Sequence, residues 1–130
     1  MRDHRNLRAF QLADDLALLV YRETACFPKE EMFGLTSQVR RAAVSVASNI
    51  AEGCGRSTDT DFLRFLDMAN GSLRELQYQL SLANRLGYLH ADSNLVNDNS
   101  ILFGSGRVLH GLIRSMRANT VREETLSYEK

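Results

Sequence analysis

The sequence predicts an all-α fold, an antiparallel up-down-up-down four-helix bundle. Apolar residues recur every three or four positions along most of the chain, and no segment sustains the period-two alternation of a strand. Proline occurs once, at Pro28, and the glycines Gly34, Gly53, Gly55 and Gly87 stand near expected helix ends. The loops this leaves are short, which favours antiparallel neighbours. A chain of 130 residues is the size of one domain. Residues 1–118 are read as the bundle and 119–130 as a polar, disordered tail.

The first helix is expected from about Leu7 to Ala25. Phe10, Ala13, Ala17, Val20, Tyr21 and Thr24 share one face, and Leu12, Leu16 and Leu19 share a second. That apolar arc is wider than one core contact requires. Phe27-Pro28 stops the helix, because proline disfavours helical geometry in the residue before it.

The second helix is expected from about Gly34 to Glu52. Leu35, Val39, Ala42, Val46 and Ile50 form a single stripe. Gly53 stands where a C-terminal glycine cap belongs. The third is expected from about Asp59 to Leu86, with Thr58 and Asp61 as an acidic variant of a capping box. Its stripe runs Phe62, Phe65, Leu66, Ala69, Leu73, Leu76, Leu80 and Ala83, and Gly87 ends it.

The fourth is expected from about Asn94 to Arg117, capped by Asp92 or Ser93. Leu95, Ile101, Leu102, Val108, Leu109, Leu112, Ile113 and Met116 make its stripe, and Gly104 and Gly106 weaken its middle.

Composition narrows the function classes. Sixteen basic residues balance sixteen acidic ones. A protein that coats nucleic acid usually carries a positive excess, since phosphate contacts supply most of that affinity. Any nucleic-acid binding is therefore expected to be weak and local. Cys26 and Cys54 are too few for a disulfide framework. The polar start Met1-Arg2-Asp3-His4-Arg5 is not followed by the apolar run of a signal peptide, and no stretch has the length of a membrane span. The expectation is a soluble, cytoplasmic protein with no membrane partner.

Helix two carries a polar flank. Gln38, Arg41, Ser45, Ser48, Asn49 and Glu52 fall together beside its core stripe, and Ser72, Glu75 and Gln79 flank that of helix three. Facing each other, they form a polar network in which Glu52 or Glu75 pairs with Arg41, since a buried charge needs a partner. Facing solvent, they are the wet borders of two amphipathic helices. The far side of helix two is small and apolar at Ala43, Val44, Ala47 and Ala51. A lone bundle has nothing to pack there. Together with Leu12, Leu16 and Leu19 of helix one, Val44, Ala47 and Ala51 predict a subunit interface and a homo-oligomer.

These segments carry a resemblance. Phe33-Gly34-Leu35-Thr36-Ser37-Gln38-Val39-Arg40-Arg41-Ala42-Ala43-Val44-Ser45-Val46, Ser48-Asn49-Ile50-Ala51-Glu52-Gly53, Gly71-Ser72-Leu73-Arg74-Glu75-Leu76 with Gln79-Leu80, and Leu86-Gly87-Tyr88-Leu89 resemble the four-helix-bundle family of ribosomal-RNA intervening-sequence proteins. The likeness spans about Leu7 to Met116. Gln11 replaces a frequent tryptophan and Ala47 a frequent proline, so a bend in helix two is not implied. The resemblance implies a four-helix bundle that assembles as a ring-like homopentamer. It also relates the chain to accessory proteins of diversity-generating retroelements, where a basic pentamer engages nucleic acid and a reverse transcriptase.

Catalytic patterns are absent from the sequence. His4, His90 and His110 form no pair at metal-ligand spacing, and the Glu-x-x-His pattern of bundle metal sites does not occur. Gly104-Ser105-Gly106-Arg107 lacks the lysine of a phosphate loop. His90 with Asp92 reads as surface loop. No enzyme, metal or cofactor is expected; a hydrolytic role for the Glu52–Arg41–Glu75 flank is the weakest reading. Fourteen of the sixteen basic residues are arginine, which suits phosphate through its bidentate fork. Arg40, Arg107, Arg114 and Arg117 are the candidate nucleic-acid patch, diluted by Asp98, Glu123 and Glu124. The expected roles are thus an oligomeric scaffold for a protein or RNA partner, or a nucleic-acid-binding accessory protein.

Overall fold

The computed structural model describes residues 2–97 and 100–129, with side chains described as far as residue 126. Four α-helices make up most of it: α1 (Arg8–Glu23), α2 (Leu35–Cys54), α3 (Asp59–Arg85) and α4 (Ile101–Glu129). Single 3₁₀ turns lie at His4–Asn6, Thr24–Cys26 and Lys29–Glu31. The most extensive packing is between α2 and α3; α1 rests on α2, and α4 closes against both α1 and α3. The α2–α3 pair runs antiparallel, since Ser45 meets Ser72 while Gly53 lies against Phe62 and Phe65. The same holds for α3 and α4, where Asn70 meets His110 and Asp67 meets Arg117.

The core face of α1 is Ala9, Ala13, Leu16 and Val20, continued by Thr24, all buried. This corrects the expected phase. Leu16 lies in the core and is unavailable to a subunit interface, whereas Tyr21 is 46% exposed. Both faces of the helix are apolar, so periodicity left the choice open. Packing selects the face whose row of small residues lets α1 approach its neighbours.

Every expected core residue of α2 is buried, and so are Thr36, Ala43, Gly53 and Cys54. Ala43 is therefore not part of an outer face. Gly53 is not a cap either: the helix continues to Cys54, and a Cβ at Gly53 would stand 2.8 Å from Phe65 Cβ and 3.1 Å from Phe62 Cδ1. The glycine lets α3 approach closely. Among the described residues, positive φ occurs only at Gly87 (79°), just beyond α3.

At the start of α3, Thr58 Oγ1 accepts a hydrogen bond from the Asp61 amide at 3.1 Å, as a capping threonine should. All eight residues of its expected stripe are buried. Arg2 donates its backbone N–H to the Cys54 carbonyl at 2.9 Å and lays its guanidinium over the Phe62 ring. That contact pins the N-terminal segment over the α2–α3 junction.

Two expectations about α4 fail. It starts at Ile101, not Asn94. Asp92, Ser93, Asn94 and Asn97 are side chains that compete for backbone groups, and Ser93 Oγ accepts the Leu95 amide at 3.2 Å instead of capping a helix. Leu95 is buried from within this loop. Asp98 lies outside the described residues. At its other end α4 runs without a break to Glu129, through the segment read as a tail. No proline or glycine follows Gly111 to stop it. Residues 121–126 are exposed, so this last stretch adds no core.

Candidate nucleic-acid interface

Along α4, Phe103, Arg107, His110, Arg114 and Arg117 recur at intervals of four, three, four and three. That spacing sets them on one face beside the buried stripe of Leu102, Leu109, Ile113 and Met116. Asp67, Asn70, Arg74, Gln77, Tyr78 and Ser81 line the facing side of α3. Between the helices lie two contiguous clefts of about 560 and 610 Å³, which share Asn70, Arg107 and His110.

Charge in this groove is one-sided. Its lining carries four arginines and one carboxylate. Arg117 Nη2 donates to both oxygens of Asp67, at 2.7 and 2.8 Å, so that carboxylate is already engaged. His110 Nε2 lies 2.8 Å from Asn70 Oδ1; since the amide oxygen only accepts, the ring nitrogen donates. Arg74, Arg107 and Arg114 have no hydrogen-bond or ion-pair partner among the described residues and stand exposed.

The fourth member of the sequence-level patch is elsewhere. Arg40 Nε donates to Thr24 Oγ1 at 2.9 Å, its Nη2 donates to the Tyr21 carbonyl at 3.3 Å, and its guanidinium covers the Tyr21 ring. It is a strap between α2 and the end of α1, satisfying a carbonyl that the helix itself leaves open. Arg40 is thereby removed from the patch. Arg74, His110, Tyr78 and Phe103 were not legible as members, because their convergence depends on the register of α3 against α4.

The polar flank of α2 and α3 comes together only in part. Ser45 Oγ and Ser72 Oγ lie 2.8 Å apart, Asn49 Nδ2 donates to the Ser45 hydroxyl and carbonyl, and Gln79 Nε2 donates to Glu75 Oε1 at 3.1 Å. Ser45, Ser72 and Asn49 are half-buried and Gln79 is buried. Gln38, Arg41 and Glu75 are exposed around a groove of about 360 Å³, and Glu52 is exposed outside it. Glu52 bonds Arg56 at 2.8 Å, and Arg41 has no partner among the described residues, so the expected Arg41 ion pair is not formed.

Of the expected interface residues other than Leu16, Leu12, Leu19, Ala47 and Ala51 are half-buried and Val44 is 41% exposed. Leu18 and Tyr21 of α1 are likewise exposed, at 53% and 46%. Among the described residues no group of three His, Cys, Asp or Glu side chains is placed to hold a metal ion. Nor is any described helix long and apolar enough to cross a membrane.

A family model described as 23S rRNA-intervening sequence protein matches residues 5–101. The match takes in α1 to α3 and stops where α4 begins, so the arginines of α4 lie beyond it. No curated protein matches the chain.

Proposed function

This chain belongs to the 23S rRNA-intervening sequence protein family, and from that premise we propose that it is a non-enzymatic, homo-oligomeric binding module whose α3–α4 groove holds the phosphate backbone of nucleic acid. The observation that carries the reading is the convergence of Arg74, Arg107 and Arg114, all without partners among the described residues, with Arg117 in one groove of a chain with zero net charge. Guanidinium groups bind phosphate through two parallel donors, and the cost of stripping them of protein partners is absent here. Three free arginines support a modest affinity. Its logarithm should fall with the logarithm of salt at a slope of about −2 to −3, since each neutralised phosphate contributes about 0.7 to 0.9.

The test is fluorescence anisotropy of a labelled RNA stem-loop titrated with the full chain from 50 to 200 mM salt. The Arg107→Ala/Arg114→Ala pair should weaken binding and flatten the slope by about 1.5. Asp67→Asn, which removes the carboxylate and frees Arg117, should tighten binding several-fold. No binding at 50 mM salt would overturn the reading, as would indifference to both variants. An accessory protein of a reverse transcriptase and a binder of structured RNA are two settings for the same groove.

Self-association is favoured by a separate observation: Leu18, Tyr21 and Val44 are large apolar side chains exposed on α1 and α2. Burying them between subunits gains about 25 cal/mol for each Å² removed from water. Five subunits is the number that the family resemblance implies, and a head-to-tail interface closes into a ring when the rotation between subunits allows it. Light scattering at micromolar concentration should give a mass several times 14.7 kDa. Val44→Glu should reduce it, whereas a monomeric native protein would defeat the proposal. A docked protein partner is the competing use of the same face, and would leave the native chain monomeric.

A further inference from the structure

We infer that the α3–α4 groove selects single-stranded over double-stranded nucleic acid, with Tyr78 and Phe103 as stacking platforms for unpaired bases; this rests on the phosphate-binding reading of the same groove. Tyr78 is 62% exposed and Phe103 39% exposed, and both line the cleft that also holds Arg74 and Arg107. A single exposed aromatic side chain is ordinary on a protein surface. Two in one arginine-lined cleft, neither engaged in an aromatic contact among the described residues, are a chemical combination with a specific use.

Single strands are held by that combination. A positive groove follows the backbone while successive bases stack on aromatic rings, without sequence readout, because every base has a π-face. Arginine planes add cation–π contacts to the same bases. In a duplex the base faces are already stacked on one another, so Tyr78 and Phe103 would have nothing to bind. From Phe103 to Arg117 the face of α4 is about 21 Å long at 1.5 Å per residue. That length suits the smallest single-strand sites, of about 4 nucleotides. Leu73, buried, and Gly106 on α4 lie between the two rows; a Cβ at Gly106 would meet Leu73 Cδ2 and Gln77 Nε2 at 3.5 Å, ordinary contact distances, so the floor there is shallow and free of bulky side chains. The polar groups Asn70, Gln77 and Ser81 border it and supply donors and acceptors to base edges.

The probes are a labelled oligo(U) 12-mer, an oligo(dT) 12-mer, a 12-base-pair RNA duplex and a poly-glutamate peptide of matching charge, each titrated into the full chain at 50 mM salt. Both single strands should bind at least about tenfold tighter than the duplex and the peptide. Tyr78→Ala and Phe103→Ala should each weaken the single strands by about 5- to 150-fold, the fold-change that loss of one stacked base brings, with no change in salt slope. Tyr78→Phe, which keeps the ring, should bind like the native chain. The sequence contains no tryptophan, so Tyr78→Trp introduces a sole indole whose emission should be quenched on adding oligo(U). Equal binding of duplex and single strand, with Tyr78→Ala and Phe103→Ala silent, overturns the stacking inference while leaving the phosphate groove intact. Equal binding of the peptide also overturns it, by showing that the groove takes any polyanion. Failure of every polyanion to bind, or indifference to Arg107→Ala/Arg114→Ala, removes the groove itself and the proposed function with it.

Discussion

The Ser45 hydroxyl on α2 lies 2.8 Å from the Ser72 hydroxyl on α3, and the Asn49 amide donates to Ser45 at 3.0 Å. This small chain of hydrogen bonds sits half-buried at the most extensive helix contact of the bundle. The charged groups around it, Arg41 and Glu75, stay in solvent and do not pair.

Ser72→Ala should therefore cost about 0.5–1.5 kcal/mol, the net worth of one such bond, and Ser45→Ala about 1–2 kcal/mol, since it removes the partner of Ser72 and one of the two acceptors of Asn49, which keeps the Ser45 carbonyl. A double-mutant cycle should show the two positions to be coupled. Arg41→Ala should change stability by no more than about 0.5 kcal/mol, as for an exposed unpaired residue. Urea denaturation at one fixed protein concentration measures all four. A loss of several kcal/mol at Arg41 would mean a buried ion pair after all.

Two glycines within helices should respond in opposite directions to alanine. At Gly53 the added methyl would stand 2.8 Å from Phe65 Cβ, so α2 and α3 must separate, at a cost of about 1–3 kcal/mol. At Gly71, in the middle of α3, nothing lies within 4 Å of the new atom. Gly71→Ala should raise stability by up to about 1 kcal/mol through helix propensity. Thermal melts of the two variants beside the native chain decide it. Opposite signs are required; a destabilising Gly71→Ala would reveal a contact on the outer face of α3.

The two cysteines should differ in reactivity and in their effect on stability. Cys26 is exposed, whereas Cys54 is wholly buried, and burial pushes its thiol above the usual value of 9.0 although Arg2 nearby opposes the shift. A thiol-specific reagent should label Cys26 in the native protein and Cys54 only on unfolding. Folding raises this pKa, so the unfolded chain loses the proton first. The stabilising contribution of Cys54 is complete below pH 9.0 and declines as the pH rises from there toward the folded value. Unfolding midpoints measured between pH 8 and 10.5 should fall less steeply in Cys54→Ala. An equal slope would mean that Cys54 does not titrate differently in the two states.

The sequence by itself determined four helices, the central core stripes of α2 and α3, to which the structure adds Thr36, Ala43, Gly53, Cys54 and Gln79, and the threonine cap of α3. These follow from short-range causes: side chains three and four apart share a helix face, and a hydroxyl at the N-cap reaches its own first turn. Only the tertiary structure decided what depends on neighbours. Leu16 and not Tyr21 is core because two apolar faces of α1 competed and the bundle could bury one. Gly53 is a contact point and not a cap because Phe62 and Phe65 arrive there from another helix. Arg40 leaves the arginine patch because Thr24 and Tyr21 offer it acceptors. Arg74, Tyr78, Phe103 and His110 join the patch because α3 and α4 lie in the register that sets Asn70 beside His110. Residues far apart in sequence meet through the relative placement of helices, which periodicity along one helix does not encode.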